Sequence, residues 1–256
     1  MTRKQLLYLW QYLYAGSGGA IVDGLVLRPN FNDMANLSLT SPSNGSAVFN
    51  GSSDYVNAGN VLNQGTGNAT YAFWAYVEAD SAGPCAIAKS IGGALLPNYG
   101  FLAGVFVSGS VYYFTADVNG NGNGFYTPHA GLNRWQYIAI VIDKTQTNAQ
   151  IYVNGSAGGI TRAGSTDLNE ISNVTNSLDF VIGAESDLSN KYAGNLANVA
   201  VWNRALTSDE INSIMWKRYD LLTAGESTGL VAWYALDDIT GTSVPDSTGN
   251  YNATAY

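Results

Sequence analysis

One stretch limits the fold more than any other. Residues 69–80 read ATYAFWAYVEAD. On a strand, successive side chains point to opposite faces. Tyr71, Phe73, Ala75 and Val77 then lie on one face, and Ala72, Trp74 and Tyr76 on the other. Both faces are apolar or aromatic, so this strand has to be covered on both sides, as an inner strand of a sandwich is. Further strands are read at 85–89, 99–107 and 110–117, the last two as a hairpin about Ser108 and Gly109. Residues 134–143, RWQYIAIVID, are the strongest strand in the chain; 149–159, AQIYVNGSAGG, follow it, and 177–185, SLDFVIGAE, form the next strand. The glycine and asparagine run NGNGNGF, 119–125, reads as a loop.

A single helix stands out. Residues 194–215 read as strand, turn and helix. Leu196, Val199, Val201 and Trp202 lie in a β-rich run that Asn203 and Arg204 break. Thr207 suits an N-cap, Glu210 three residues later completes a capping box, and Ile211, Ile214 and Met215 share one face. The expected fold class is all-β: an antiparallel β-sandwich with one short helix.

Bulk properties exclude several functions. Charged residues are only 12% of the chain, and the net charge is −8, which argues against nucleic-acid binding. No apolar run approaches the ~18 residues that would span a membrane. Cys85 is the only cysteine, so no internal disulfide forms and the core must hold the fold. Cys85 reads as a small buried residue in a strand.

The N-terminus differs in character from the body. MTRKQLLYLWQYLY begins basic and continues apolar and aromatic, with Leu6, Leu9, Trp10 and Leu13 on one helical face. Such a start also resembles a signal peptide, but Gln11 and three tyrosines interrupt the run. Residues 1–40 carry a net charge of +1 and the remainder −9. They are read as a docking arm and linker ahead of a single domain at 41–256.

Several segments resemble the laminin-G-like (concanavalin A-like) jelly-roll family. SAVFNGSSDYVNAG, 46–59, two short strands about a turn at 51–53, matches its early F-x-G-x-x-D-Y-V segment through Phe49, Gly51, Asp54, Tyr55 and Val56. The pair RWQYIAIVID and YVNG matches its central hairpin, and NRALTSDEI its closing segment. Residues 229–253 resemble the segment that usually opens this domain, yet here they come last. A permuted order is therefore expected, with the strand 230–236 folding back beside 196–202 into the first-strand slot.

The resemblance also directs the search for chemistry. Glucanases of this fold use clustered acids, E-x-D-x-x-E; here Glu78 and Asp80 lack the third acid, and Asp237 and Asp238, being adjacent, point to opposite strand faces. A catalytic triad would have to use the single histidine, His129, and no G-x-S-x-G elbow precedes a helix. His129 reads as part of an exposed turn after Pro128. No catalytic residue is assigned.

Members of the fold often hold Ca²⁺ at the sandwich rim. The turn PDSTGNYN offers Asp246, Asn250 and Asn252, with Asp54 and the Gly51 carbonyl nearby if the permutation holds; the alternative is an ordinary asparagine-rich turn. Glycan binding needs exposed aromatics and amides. Tyr99, Phe125, Tyr126 and Tyr192, with Asn119, Asn121 and Asn123, are the candidates.

The expected function is a non-enzymatic surface module of a larger assembly: a bacteriophage virion decoration, fibre or spike. The arm would dock on other subunits, the protein would be oligomeric, and the sandwich would face host glycans. The alternatives are a free secreted bacterial carbohydrate-binding module and a glycoside hydrolase of the same fold.

Overall fold

A computed structural model describes residues 45–78, 85–91, 100–106 and 109–256. The arm residues Leu6, Leu9, Trp10 and Leu13 lie outside the described residues, as do Asp80 and Tyr99. In chain order the strands are β1 (Ala47–Asn50), β2 (Val56–Asn57), β3 (Ala69–Val77), β4 (Cys85–Lys89), β5 (Gly100–Phe106), β6 (Ser110–Ala116), β7 (Gly122–Pro128), β8 (Trp135–Ile142), β9 (Gln150–Val153), β10 (Ser156–Ala157), β11 (Thr161–Ala163), β12 (Val181–Ile182), β13 (Ala193–Trp202), β14 (Leu230–Tyr234), β15 (Ser243–Val244) and β16 (Ala253–Ala255). Two helices, α1 (Ser208–Ile214) and α2 (Ala224–Ser227), flank a 3₁₀ turn, Tyr219–Leu221.

The strands form two antiparallel sheets packed as a sandwich. The first runs β1-β13-β3-β8-β9-β10, and the second β11-β7-β6-β5-β4-β12-β2-β16-β15. The two-faced strand read at 69–80 is β3, held between β13 and β8. Its Tyr71, Phe73, Ala75 and Val77 enter the core between the sheets, where Phe101, Tyr113, Phe125, Phe180 and Tyr234 join them. Its Ala72 and Trp74 face outward under Ile211, Ile214 and Met215 at the α1 end of the chain. The Trp74 indole N–H donates to the Met215 carbonyl at 3.2 Å, which anchors that cover.

The C-terminal segment folds back as expected. β14 pairs with β13, placing Val199 opposite Tyr234 and Ala200 opposite Trp233. Since β3 occupies the other edge of β13, β14 and β1 share one edge end to end. The same segment then crosses to the second sheet, where β16 pairs with β2 and the backbones of Tyr55 and Tyr256 bond each other in both directions. The tail thus supplies strands to both sheets.

Several elements differ from expectation for physical reasons. The two strands at 46–59 belong to different sheets, β1 to the first and β2 to the second. The strand at 177–185 shrinks to β12, Val181–Ile182. Most of NGNGNGF is strand: Asp117 caps a turn over 117–121, and β7 begins at Gly122, paired along β6. Its glycines are there for packing. A Cβ on Gly124 would lie 2.5 Å from the Phe114 ring, and one on Gly122 would lie 3.0 Å from the Thr115 carbonyl oxygen. Local propensity yields to the fit against β6.

Candidate functional site

The outer face of the second sheet carries a tier of rings. Alternation along β6 sends Val111 and Tyr113 into the core and Tyr112 and Phe114 outward. β5 adds Phe106, and β7 adds Tyr126. Phe106 stacks on Tyr112 with centroids 4.1 Å apart; Tyr112 lies 5.2 Å from Phe114, and Phe114 meets Tyr126 edge-on at 5.3 Å. Glycines face the rings across the ladder: Gly104 sits opposite Tyr112, and Gly124 opposite Phe114, where a Cβ would meet the ring. Tyr112 is buried, whereas Phe106, Phe114 and Tyr126 are half-buried and leave ring surface open to solvent. An exposed ring face in such a tier can stack against the C–H face of a sugar ring.

The structure brings only part of the expected glycan set to this tier. Tyr126 belongs to it. Asn119 and Asn121 are exposed at the turn that leads into β7. Phe125 and Tyr192 are corrections: both are fully buried, so neither offers a free ring face. Phe125 points inward because it neighbours Tyr126 on the strand, and Tyr192 packs edge-on to Phe49 while its hydroxyl donates to the Tyr76 carbonyl. Asn123 is also buried, its amide donating to the Thr166 carbonyl. Phe106, Tyr112 and Phe114 were not singled out from sequence. Both alternate sets on β6 are apolar or aromatic, so the pattern does not say which set faces out.

The residues of the calcium set are bonded to the protein itself. Asp246 is buried, and its carboxylate accepts four hydrogen bonds, from the backbone N–H groups of Trp233, Thr248 and Tyr251 and from the Thr248 hydroxyl. A carboxylate offers about four lone-pair positions, and all are taken by donors whose hydrogens point at it. Asn252 accepts from the Asp246 backbone N–H, Asn250 donates to the Val231 carbonyl, and Asp54 closes its own turn with Asn50 and Ser53. The acids brace backbone here. Among the described residues, no group of three or more His, Cys, Asp or Glu side chains could hold a metal ion.

Glu78 is exposed at the end of β3, and Asp238 is exposed beside Asp237. Cys85 is buried; burial and then the Glu185 carboxylate push its thiol well above its usual range, which keeps it protonated. His129 is half-buried rather than exposed, and its Nδ1 accepts from the Gly131 N–H at 2.7 Å.

Comparison with known proteins places this architecture. A family model described as the Concanavalin A-like lectin/glucanases superfamily matches residues 50–212. A protein from Bacteroides ovatus described as a candidate carbohydrate binding protein has a similar structure, with a TM-score of 0.61 and 19% identity over 82% of this chain and 57% of its own. The SAP-like pentraxin of Limulus polyphemus is similar at a TM-score of 0.51 and 13% identity, over 81% of this chain and 93% of its own. At such identities the likeness concerns the fold alone. No curated protein matches the chain by sequence.

Proposed function

The chain belongs to the concanavalin A-like lectin/glucanases superfamily, and from that premise we propose that it is a non-enzymatic carbohydrate-binding module. The observation that carries this reading is the ring tier of Phe106, Phe114 and Tyr126, half-buried on the outer face of the second sheet. It supplies a surface on which a sugar ring can stack. The Bacteroides ovatus protein, described as a candidate carbohydrate binding protein, shares the architecture and is consistent with it.

A glycan array with the whole chain tests the reading. Binding should appear, and Tyr126→Ala should weaken it about five- to tenfold, the worth of one ring contact, with the melting curve unchanged. Binding that ignores Tyr126→Ala in a normally folded variant would remove the tier from the reading. Release of sugar fragments from the bound glycan would put a hydrolase in its place.

We also read residues 1–40 as the arm of a phage virion surface subunit. The observation behind this is the charge contrast, +1 on the arm against −9 on the body. Light scattering on the whole chain and on a chain starting at Ser41 tests it. Assembly of the first and a folded monomer for the second support the arm; two monomers would favour a free binding module.

A further inference from the structure

A lysine is sealed into the second sheet. Lys89 ends β4, opposite Phe101 of β5, and is 0% exposed. Its amine donates to the Asn60 side-chain oxygen at 2.8 Å and to the Leu178 carbonyl. Neither acceptor carries a charge, and burying an ammonium on such terms is costly. Burial accordingly pushes the amine down to about 8 from its usual 10.5, while the Asp179 carboxylate pulls it the other way. A share of the amine is therefore uncharged near neutral pH, and an uncharged lysine is a nucleophile.

The group it touches is held in place as firmly. Asn60 lies in the turn that follows β2. There the Gly59 N–H donates to the Asn57 side-chain oxygen at 2.6 Å, and the Val61 N–H to the Gly59 carbonyl at 2.8 Å. The Ala58 N–H donates to the Phe180 carbonyl and the Phe180 N–H to the Gly59 carbonyl, which extends the β2–β12 ladder up to Asn60. Asn60 itself is exposed, so a group released from its side chain has a way out to water.

Asp179 completes the set. It follows Leu178, whose carbonyl the amine already touches, and its carboxylate accepts from the Asn57 amide at 2.9 Å. An amine, a carboxamide in hydrogen-bond contact with it and a carboxylate that acts on its charge thus meet from three segments of the chain. Reactants fixed in contact react as one molecule, which raises their effective concentration by orders of magnitude.

We propose that Lys89 and Asn60 join their side chains through a self-formed amide bond. The Lys89 nitrogen attacks Cγ of Asn60 and a C–N bond forms; the Cγ–Nδ2 bond breaks and ammonia leaves. One amine proton passes to Asp179 and from there to the departing nitrogen, so no oxidant, reductant or added reactant is consumed. The bond ties the end of β4 to the end of β2, on either side of β12, and locks the three short strands together. It goes beyond the binding role and stands on separate residues.

Intact mass spectrometry of the whole folded chain, held at neutral pH, reads the bond directly. The mass should fall below that of the sequence by one ammonia. Chymotrypsin cuts at the aromatic residues between the partners, Tyr71, Phe73, Trp74 and Tyr76, so its digest should return the Asn60 and Lys89 peptides as one joined species. Lys89→Met and Asn60→Ala should each keep the full mass. A chain kept in denaturant throughout should keep it too, because the contact is lost. A folded native chain with the full mass of its sequence would overturn the proposal: Lys89 would then be a hydrogen-bonded strut only. An ammonia loss that maps to an asparagine–glycine step, or one that appears equally in the denatured chain, would also overturn it.

Discussion

Glu226 gathers donors from three neighbours: Lys217, Thr223 and Ser213. It is buried within α2, and both its oxygens accept from Lys217, at 2.6 and 2.8 Å. The Thr223 backbone N–H also donates to it, while its own carbonyl receives the Trp202 indole at 2.8 Å. Burial alone would push the carboxyl up; the bonds from Lys217, Thr223 and Ser213 outweigh it and hold the pKa at about 2, against the usual 4.5. The folded-state value lies below the unfolded one, so this stabilisation is fully present above pH 4.5 and is lost as the pH falls toward about 2. Urea melts of the native chain and Glu226→Gln should differ by about 1–3 kcal/mol at neutral pH, and the gap should close across that acid window. A gap that stays constant down to pH ~2 would show that the charge does not carry the effect.

At the scale of elements, Arg204 explains why the NRALTSDEI segment is worded as it is. Its guanidinium grips Glu210 with two bonds, 3.0 and 2.7 Å, and donates to the Gly225 and Thr228 carbonyls. Glu210 meanwhile closes the capping box with Thr207 at the start of α1. One side chain therefore ties the β13–α1 turn to the segment that leads into β14. Lysine keeps the charge but not the fork, so Arg204→Lys should destabilise by about 1–2 kcal/mol in chemical denaturation. A neutral result would mean that the carbonyl contacts contribute nothing. This helix, its cap and β3 were legible because their signals are local: a capping box, a helical face, a two-faced alternation. The tier of rings was only half legible, since Tyr113 and Tyr112 look alike in sequence and only packing sends one inward. The cavity of about 240 Å³ lined by Asn198, Arg218, Trp233 and Ser247 was not legible at all. Asn198 looks like a stray polar residue in an apolar run until Trp233 and Ser247, far along the chain, come to lie beside it. The turn at Asp246 carried a real signal of oxygen-rich chemistry, but its acceptors serve the backbone of β14 and of the turn itself.

For the molecule as a whole, the decisive arrangement is the C-terminal segment that enters both sheets. It contributes Ala232, Tyr234 and Leu236 to the core between the sheets, then Val244 and Ala253. Losing even two large buried side chains costs several kcal/mol, against a typical total of about 5–15. A chain lacking residues 229–256 should therefore show no cooperative thermal transition and should bind a dye for exposed apolar surface. A cooperative melt from that shortened chain would mean that the sandwich closes without its tail. The same arrangement dictates when the protein can come into being. While it is still on the ribosome, a nascent chain that has not yet exposed Tyr256 holds β2 and half of β13 as open edges, ready to pair with any neighbouring chain. Folding of this sandwich follows the synthesis of its last strand and cannot run alongside it, so the yield in a cell depends on how well those two edges are shielded during that wait.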